Sequence, residues 1–307
     1  MSELTFLGLP SVTPERLARG SADVAILGIP FGVPYPMPGL TAGCADAPAA
    51  VRARSQRLAR FADHHDFDPD GPMLAGNPPL RIVDAGDVAG SAEDGPGNAS
   101  RAEAAVSAVL DAGALPIVIG GDDSVPIPVL RAYRERGPLT VVQVDAHLDY
   151  RDEVAGVRDG YSSPMRRASE MPHVERIVQV GLRGVGSART SDVADARAAG
   201  NVLVTARELR ERGVPWLIGQ LPRGASAFVV FDLDGLDPSV APAVSGISPG
   251  GLSYDEGGDL LAGLAARCHL VGAAFTELVP ARDLNDLSAL VVVRLMMRLL
   301  AAIDRAR

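Results

Sequence analysis

The sequence predicts an α/β protein with three layers, in which a doubly wound, mostly parallel sheet of about eight strands lies between two layers of helices. Short apolar runs rich in valine and isoleucine recur along the 307 residues, do not alternate with polar residues, and often have helical segments between them. Unbroken apolar runs are typical of strands buried on both faces. Strands that alternate with helices build parallel sheets. We expect residues 1–307 to form one domain.

The individual elements follow from the same patterns in chain order. Strands are predicted at residues 23–30, 81–88, 115–121, 139–147, 176–184, 201–206, 227–234 and 269–277. Helices are predicted at residues 101–112, 187–199 and 253–267, and the apolar tail 289–303 is expected to be a buried helix. The segments 33–46 and 89–98 are expected to be loops, because glycine and proline favour turns.

Composition narrows the classes of function. The net charge is −9 and the isoelectric point about 5.1, so we expect no positive surface for nucleic acid. We expect no signal peptide and no membrane span, because Arg294 and Arg298 interrupt the apolar tail. These expectations favour a cytoplasmic protein. Cys44 and Cys268 form no CxxC pair and are expected to be buried thiols.

Polar clusters end four of the predicted strands. They are residues 120–124, residues 145–149, residues 232–234 and Glu277. In an open α/β sheet, ligands bind outside the carboxyl ends of the strands. We therefore expect the four clusters to converge on one site.

Two of these clusters carry side chains that bind metals. Alternation along an extended strand end would put Asp145, His147 and Asp149 on one side, and Asp232 and Asp234 would share a face in the same way. Carboxylates packed this closely repel each other, and divalent cations are the simplest way to neutralise them. Oxygen ligands with one nitrogen suit Mn²⁺, with Ni²⁺ as the alternative. The competing interpretation is that these aspartates cap helices or form turns.

Four sequence blocks carry a family resemblance: GGDDS (120–124), VDAHLDY (144–150), FDLDGLDPSVAP (231–242) and TELVP (276–280). Together they resemble the arginase/agmatinase/formiminoglutamase family, the ureohydrolases, and the similarity extends in order over nearly the whole chain. The resemblance implies an arginase-like fold and a binuclear manganese centre. It implies attack by a metal-bridging hydroxide on a small cationic guanidino compound, such as agmatine, to give urea and an amine. It also implies a homo-oligomer, either a trimer or a hexamer.

The family pattern further implies roles for single residues. Asp145 and Asp232 would bridge the two metals, Asp149 would bind the first metal, and His147 and Asp234 would bind the second.

Two carboxylates would also act on the substrate. Asp149 is expected to carry a proton to the leaving amine. Glu277 is expected to hold the guanidinium through two parallel hydrogen bonds. A structural salt bridge with Arg183 or another arginine is the alternative role for Glu277.

Two positions depart from the family's pattern. Asp123 stands where the family usually has a histidine ligand of the first metal. Its oxygen reaches about as far as a histidine Nδ1, so we expect Asp123 to bind the metal in a working site. The extra negative charge would raise the pKa of metal-bound water and attract a guanidinium; a decayed site is the alternative. Tyr161 aligns with a family histidine linked to proton transfer or substrate contact. It could donate a hydrogen bond but is a poor base, and the alternative is a packed loop aromatic.

Three functional hypotheses stay open. The first is a hydrolase of agmatine or a similar guanidino compound. The second is a hydrolase of guanidine, an alkylguanidine or a formimino compound, and the third is a non-catalytic subunit that supports a catalytic homologue. Specificity for the substrate tail is expected in the loops 33–46 and 151–163, where Tyr35 and Met37 suggest an apolar wall.

Overall fold

A computed structural model describes residues 4–36 and 42–307, and all eight predicted strands are present in it. The strands are β1 Val24–Ile29, β2 Ile82–Asp87, β3 Leu115–Gly120, β4 Leu139–Val144, β5 Val174–Leu182, β6 Val202–Thr205, β7 Ser226–Asp232 and β8 His269–Thr276. They form one sheet in the order β2-β1-β3-β8-β7-β4-β5-β6, and every neighbouring pair is parallel. The predicted doubly wound sheet is confirmed.

Helices cover both faces of this sheet, as predicted. They are α1 Ala47–Ala59, α2 Gly95–Asp111, α3 Pro126–Arg131, α4 Pro164–Ser169, α5 Thr190–Ala198, α6 Ala206–Arg212, α7 Val214–Gly219, α8 Tyr254–Arg267 and α9 Leu287–Arg305. Two apolar cores separate the layers. One contains buried residues of α1, α6, α7, α8 and α9, and the other contains those of α2, α3, α4 and α5. Burial of both sheet faces explains why the strand sequences are apolar without alternation.

The loop prediction for residues 89–98 is wrong over its last four residues, because α2 begins at Gly95. The Asp94 side chain caps this helix by accepting a hydrogen bond from the Gly97 amide at 3.0 Å. Pro96 lies in the first turn, where its fixed φ suits a helix and its missing N–H costs nothing. The other predicted loop, 33–46, ends in a 3₁₀ helix, Ala42–Asp46, and Met37 lies outside the described residues.

The apolar tail forms α9, which packs into the first core through residues such as Leu295 and Leu299. Its Arg294 pairs with Asp66, with a shortest distance of 2.6 Å. Within the described ranges, no helix is both long and apolar enough to cross a membrane.

The sheet order places four strands side by side at its centre, namely β3, β8, β7 and β4. Because all strands are parallel, the segments that follow these four strands leave from one edge of the sheet. The four polar clusters predicted from the sequence are these segments.

Candidate metal centre and active site

The four polar segments converge on a cavity of about 270 Å³. Seven of the eight residues predicted for the site line it, namely Asp123, His147, Asp149, Tyr161, Asp232, Asp234 and Glu277. The eighth, Asp145, is fully buried beside them. The structure therefore brings together every residue that the sequence predicted for the site.

The ligand-type atoms form two groups, and within each group they lie within 4.8 Å of one another. The first group consists of Asp123, Asp145, Asp149 and Asp232, and the second consists of Asp145, His147 and Asp234. Asp145 belongs to both groups, as a carboxylate between two ions must. Asp232 belongs only to the first group, although the family resemblance predicts that it bridges as well.

The aspartates converge for a different reason than the predicted alternation along a strand. β4 ends at Val144, so the next five residues lie in a loop. The His147 amide donates to Asp145 Oδ1 at 2.5 Å, and the Asp234 amide donates to Asp232 Oδ1 at 2.7 Å. These local hydrogen bonds turn the backbone after β4 and β7 and aim the side chains at one point.

A series of buried, hydrogen-bonded side-chain amides orients the Asp145 carboxylate. Gln143 Nε2 donates to Asp145 Oδ2 at 2.5 Å, and Gln179 Nε2 donates to Gln143 Oε1 at 2.6 Å. Asn201 completes the chain by donating to Gln179 at 3.1 Å. Sequence reasoning missed these residues, since two of them look like ordinary strand positions until β4, β5 and β6 are placed side by side.

The carboxylates of the site carry little compensating positive charge. Among the described residues, His147 is the one basic side chain that forms ion pairs with these aspartates, 3.0 Å from Asp234 and 3.6 Å from Asp145. Hydrogen bonds to Asp145 and Asp234 raise the pKa of His147 to about 10. Burial, followed by repulsion from Asp234, raises the pKa of Asp145 to about 6.

Three further aspartates of the site are perturbed in the same direction. Burial, followed by repulsion from neighbouring carboxylates, raises the pKa of Asp123, Asp149 and Asp232 well above the usual range. A buried group of this kind either takes up protons or binds cations. A set of hard oxygen donors with one imidazole nitrogen fits divalent metal ions.

Asp123 has the geometry of a ligand at the position where the family usually has histidine. Its Oδ1 accepts a hydrogen bond from the Thr276 hydroxyl at 2.6 Å. Its Oδ2 is buried and has no hydrogen-bond partner among the described residues. An unpaired buried carboxylate oxygen is costly, and a metal ion shared with the other aspartates would satisfy it.

Glu277 follows β8 and is 5% exposed. Its Oε1 accepts the Asp123 amide hydrogen at 2.9 Å, and the Cys44 thiol lies 3.9 Å from its Oε2. Burial, followed by the nearby Asp122 charge, raises the pKa of Glu277 to about 8. Among the described residues, neither Arg183 nor another arginine forms a salt bridge with Glu277. Arg183 instead donates to carbonyls of the loops that end in the site, including that of Asp234 at 2.6 Å.

Backbone strain is present at two of the functional positions. Asp149 has φ 46° and Glu277 has φ 68°. These values lie in the left-handed region, which residues other than glycine rarely adopt. Such a conformation costs about 1–3 kcal/mol and persists where the surroundings enforce it, often at functional sites.

Tyr161 lines the cavity and packs on Tyr35, with ring centroids 4.5 Å apart. The Tyr35 hydroxyl accepts the Ser162 amide hydrogen at 3.1 Å and so fixes the loop that carries Tyr161. Burial raises the pKa of Tyr161 to about 12. The hydroxyl is therefore neutral at physiological pH and can donate a hydrogen bond, while the packed-aromatic interpretation holds as well.

Comparison with known proteins gives a consistent result over the length of the chain. The sequence of residues 22–302 matches the model of a protein family that is described as the Arginase family. Guanidinopropionase of Pseudomonas aeruginosa is 32% identical over 304 residues, which cover 96% of this chain and 90% of that protein. Guanidinobutyrase of the same organism is 28% identical over 309 residues, which cover 97% and 92%.

A solved structure shows the same fold. Proclavaminate amidino hydrolase from Streptomyces clavuligerus aligns with a TM-score of 0.83 and 28% identity, covering 100% of this chain and 99% of that chain. The match over residues 22–302, the shared fold and the aspartate-rich strand ends lead to one conclusion. This chain belongs to the arginase family, whose members are hydrolases of C–N bonds.

Proposed function

We propose that the chain is a binuclear-metal hydrolase that cleaves a C–N bond of a guanidino compound to give urea and an amine. The observation that carries this proposal is the pair of ligand groups joined by Asp145. The names of the similar proteins, guanidinopropionase and guanidinobutyrase, support a guanidino substrate.

The first metal would be held by Asp123 and Asp149, and the second by His147 and Asp234. Asp145 and Asp232 would bind both, and the place of Asp145 in both groups supports this role. Mn²⁺ suits this oxygen-rich set, with Ni²⁺ as the alternative. When bound, such a pair of ions supplies a hydroxide nucleophile at neutral pH and polarises the group that it attacks.

The chain's own side chains would position the substrate and move protons. Glu277 would hold the guanidinium through two parallel hydrogen bonds, since its carboxylate lines the same cavity as the metal ligands. Asp149, a member of the first ligand group that lines the same cavity as Glu277, would pass a proton to the leaving amine. Tyr161 would donate a hydrogen bond to the substrate, because its hydroxyl stays protonated.

Asp123 in place of a histidine supports a retuned site rather than a decayed one. Its free oxygen is buried within reach of the three other ligands of the first group. The additional negative charge favours binding of a cationic guanidinium. The Thr276 hydroxyl orients this carboxylate by donating to its other oxygen at 2.6 Å.

Urea release tests this function directly. Protein loaded separately with Mn²⁺ and with Ni²⁺ is assayed on 3-guanidinopropionate, 4-guanidinobutyrate, agmatine, arginine and guanidine. We expect urea from at least one guanidino compound and two ions per chain. Fewer than about half an ion per chain, with no urea from any compound, would support the non-catalytic subunit instead, since full coordination needs deprotonated ligands.

Other expectations from the sequence stay predictions. These are the single domain over residues 1–307, the cytoplasmic location and the trimeric or hexameric assembly. The single domain is supported by the sheet, which combines strands from residue 24 to residue 276.

A further inference from the structure

Arg282 stands out among the residues that line the cavity. It is the only lysine or arginine among the described lining residues. It ends the 3₁₀ helix Pro280–Arg282, which follows β8 and Glu277 in the chain, and its side chain is exposed. Its hydrogen bonds within the described residues go to the carbonyl oxygens of Val244 at 2.9 Å and Ser245 at 3.4 Å. Neither partner neutralises its charge.

Ser245 connects Arg282 to Glu277. The Ser245 carbonyl accepts a hydrogen bond from Arg282, and the Ser245 side chain is hydrogen-bonded to Glu277. The Cys44 sulfur lies 3.5 Å from the Ser245 hydroxyl and 3.9 Å from Glu277 Oε2. A positive and a negative side chain therefore lie on either side of one residue and line the same cavity.

This arrangement matches a molecule that carries both charges a short distance apart. We propose that Arg282 binds the carboxylate of a guanidino acid whose guanidinium is held by Glu277, and so determines the specificity of this site. The inference rests on the proposed hydrolysis of guanidino compounds and names the substrate class. An arginine guanidinium pairs with a carboxylate through two parallel N–H···O bonds.

Charge explains why Arg282 matters for selection. Without Arg282, a carboxylate tail would meet a cavity lined by Asp123, Asp149, Asp232, Asp234 and Glu277. Like charges would then oppose its entry. The ammonium tail of agmatine meets the opposite situation, since Arg282 repels it. One arginine thus favours the acid over the amine.

Three substrates of similar length differ only in the charge of the tail. They are 4-guanidinobutyrate with a carboxylate tail, agmatine with an ammonium tail and 1-butylguanidine with an uncharged tail. The quantity measured is the ratio of kcat/KM for the acid to kcat/KM for 1-butylguanidine, on Mn²⁺-loaded full-length protein. We expect Arg282→Met to lower this ratio by about 10- to 100-fold, mainly through KM, as for loss of a charge-assisted hydrogen bond. Arg282→Glu should shift the preference from the acid to agmatine.

Matched variants separate charge recognition from other effects. Arg282→Lys keeps the positive charge but loses the planar guanidinium with its two parallel N–H donors. Its ratio should therefore lie between those of the wild type and Arg282→Met. Arg223→Met removes the same charge from an exposed position before β7, at the opposite end of the sheet. Its ratio should stay within about twofold of the wild type, because a charge at that distance is screened.

An equal loss of activity on all three substrates would overturn the proposal, because Arg282 would then only support the backbone at residues 244–245. An unchanged ratio would overturn it as well. If the wild type releases urea from none of these three and from none of the compounds in the urea-release screen, the proposed hydrolysis fails by itself. In that case, calorimetric binding of 4-guanidinobutyrate decides the role of Arg282. The proposed role requires that the Arg282→Met variant bind this compound at least tenfold more weakly than the wild type does.

Discussion

Two acidic clusters of this protein are neutralised in different ways. In the first, Asp84 of β2 is fully buried and accepts hydrogen bonds from the Arg52 guanidinium at 2.8 and 3.0 Å, while Asp87 accepts another at 2.5 Å. In the second, five aspartates lie at or just after the ends of β3, β4 and β7, and His147 is their one basic partner among the described residues. Both clusters belong to the same sheet.

The difference separates a carboxylate that stabilises the fold from carboxylates that are proposed to bind metal ions. The Arg52 guanidinium neutralises Asp84 in the folded protein, so this carboxylate has no unpaired charge for a ligand to neutralise. In the second cluster the nearby Arg183 turns to backbone carbonyls instead, such as that of Asp234. The unmatched negative charge there is available for metal ions and a cationic substrate.

The largest effect should come from removing the shared ligand. Asp145→Asn is expected to cost at least one metal ion per chain and to lower urea formation by more than about 100-fold, because even residues that only orient ligands contribute 10- to 100-fold. Elemental analysis and kcat/KM measure both effects. Full metal content with activity within tenfold of the wild type would contradict the role of Asp145 as a shared metal ligand.

The same change at the arginine-paired cluster should act on stability instead. Asp84→Asn leaves Arg52 without its main partner, and breaking a buried pair costs about 3–5 kcal/mol. Urea denaturation of metal-free protein measures this loss in the free energy of unfolding. Asp145→Asn is the matched control, since both aspartates are fully buried.

For this control we expect a metal-free protein at least as stable as the metal-free wild type at pH 8, because one charge leaves a repelling cluster. Metal content per folded chain should be normal in Asp84→Asn. Equal destabilisation by the two variants would mean that the clusters do not differ in kind.

The smallest effect concerns pH. The folded-state pKa is raised for Asp145, from 3.8 to about 6, and for Glu277, from 4.5 to about 8. The folded metal-free protein thus holds protons that the unfolded chain releases. The stability from these groups is present below about pH 4 and is lost as pH rises through 6 to 8. His147, raised from 6.5 to about 10, acts in the same direction over a higher range.

Metal ions bind to these carboxylates in place of the protons. The affinity of the protein for the metal ions therefore rises with pH. The increase in Tm on adding Mn²⁺ to chelator-treated protein should therefore grow by several degrees between pH 5 and pH 8. Asp145→Asn should show a flatter dependence. A Tm increase that shrinks with pH would contradict the assignment of these carboxylates as ligands.

Most of the fold and the acidic residues of the site could be predicted from the sequence because their signals are local. Each buried strand is one apolar run, and each ligand lies within a few residues of a strand end. The start of α2 was missed, since Gly95 and Pro96 favour turns unless a cap such as Asp94 is recognised.

The remaining parts of the site depend on contacts between distant segments. Gln143 and Gln179 support Asp145 across two strands, and Ser245 joins Glu277 to Arg282 from a separate loop. No spacing in the sequence brings Gln179 to Asp145 or Ser245 to Glu277. For Arg282, a positive residue five positions after Glu277 was a signal, but only the cavity gives it meaning.

The central claim is that the unmatched aspartates hold two metal ions. Anomalous diffraction from crystals grown with Mn²⁺ tests this most directly. We predict two peaks per chain, one among Asp123, Asp145, Asp149 and Asp232 and the other among Asp145, His147 and Asp234. A single peak, or none with the aspartates paired to arginine or lysine side chains, would contradict the claim.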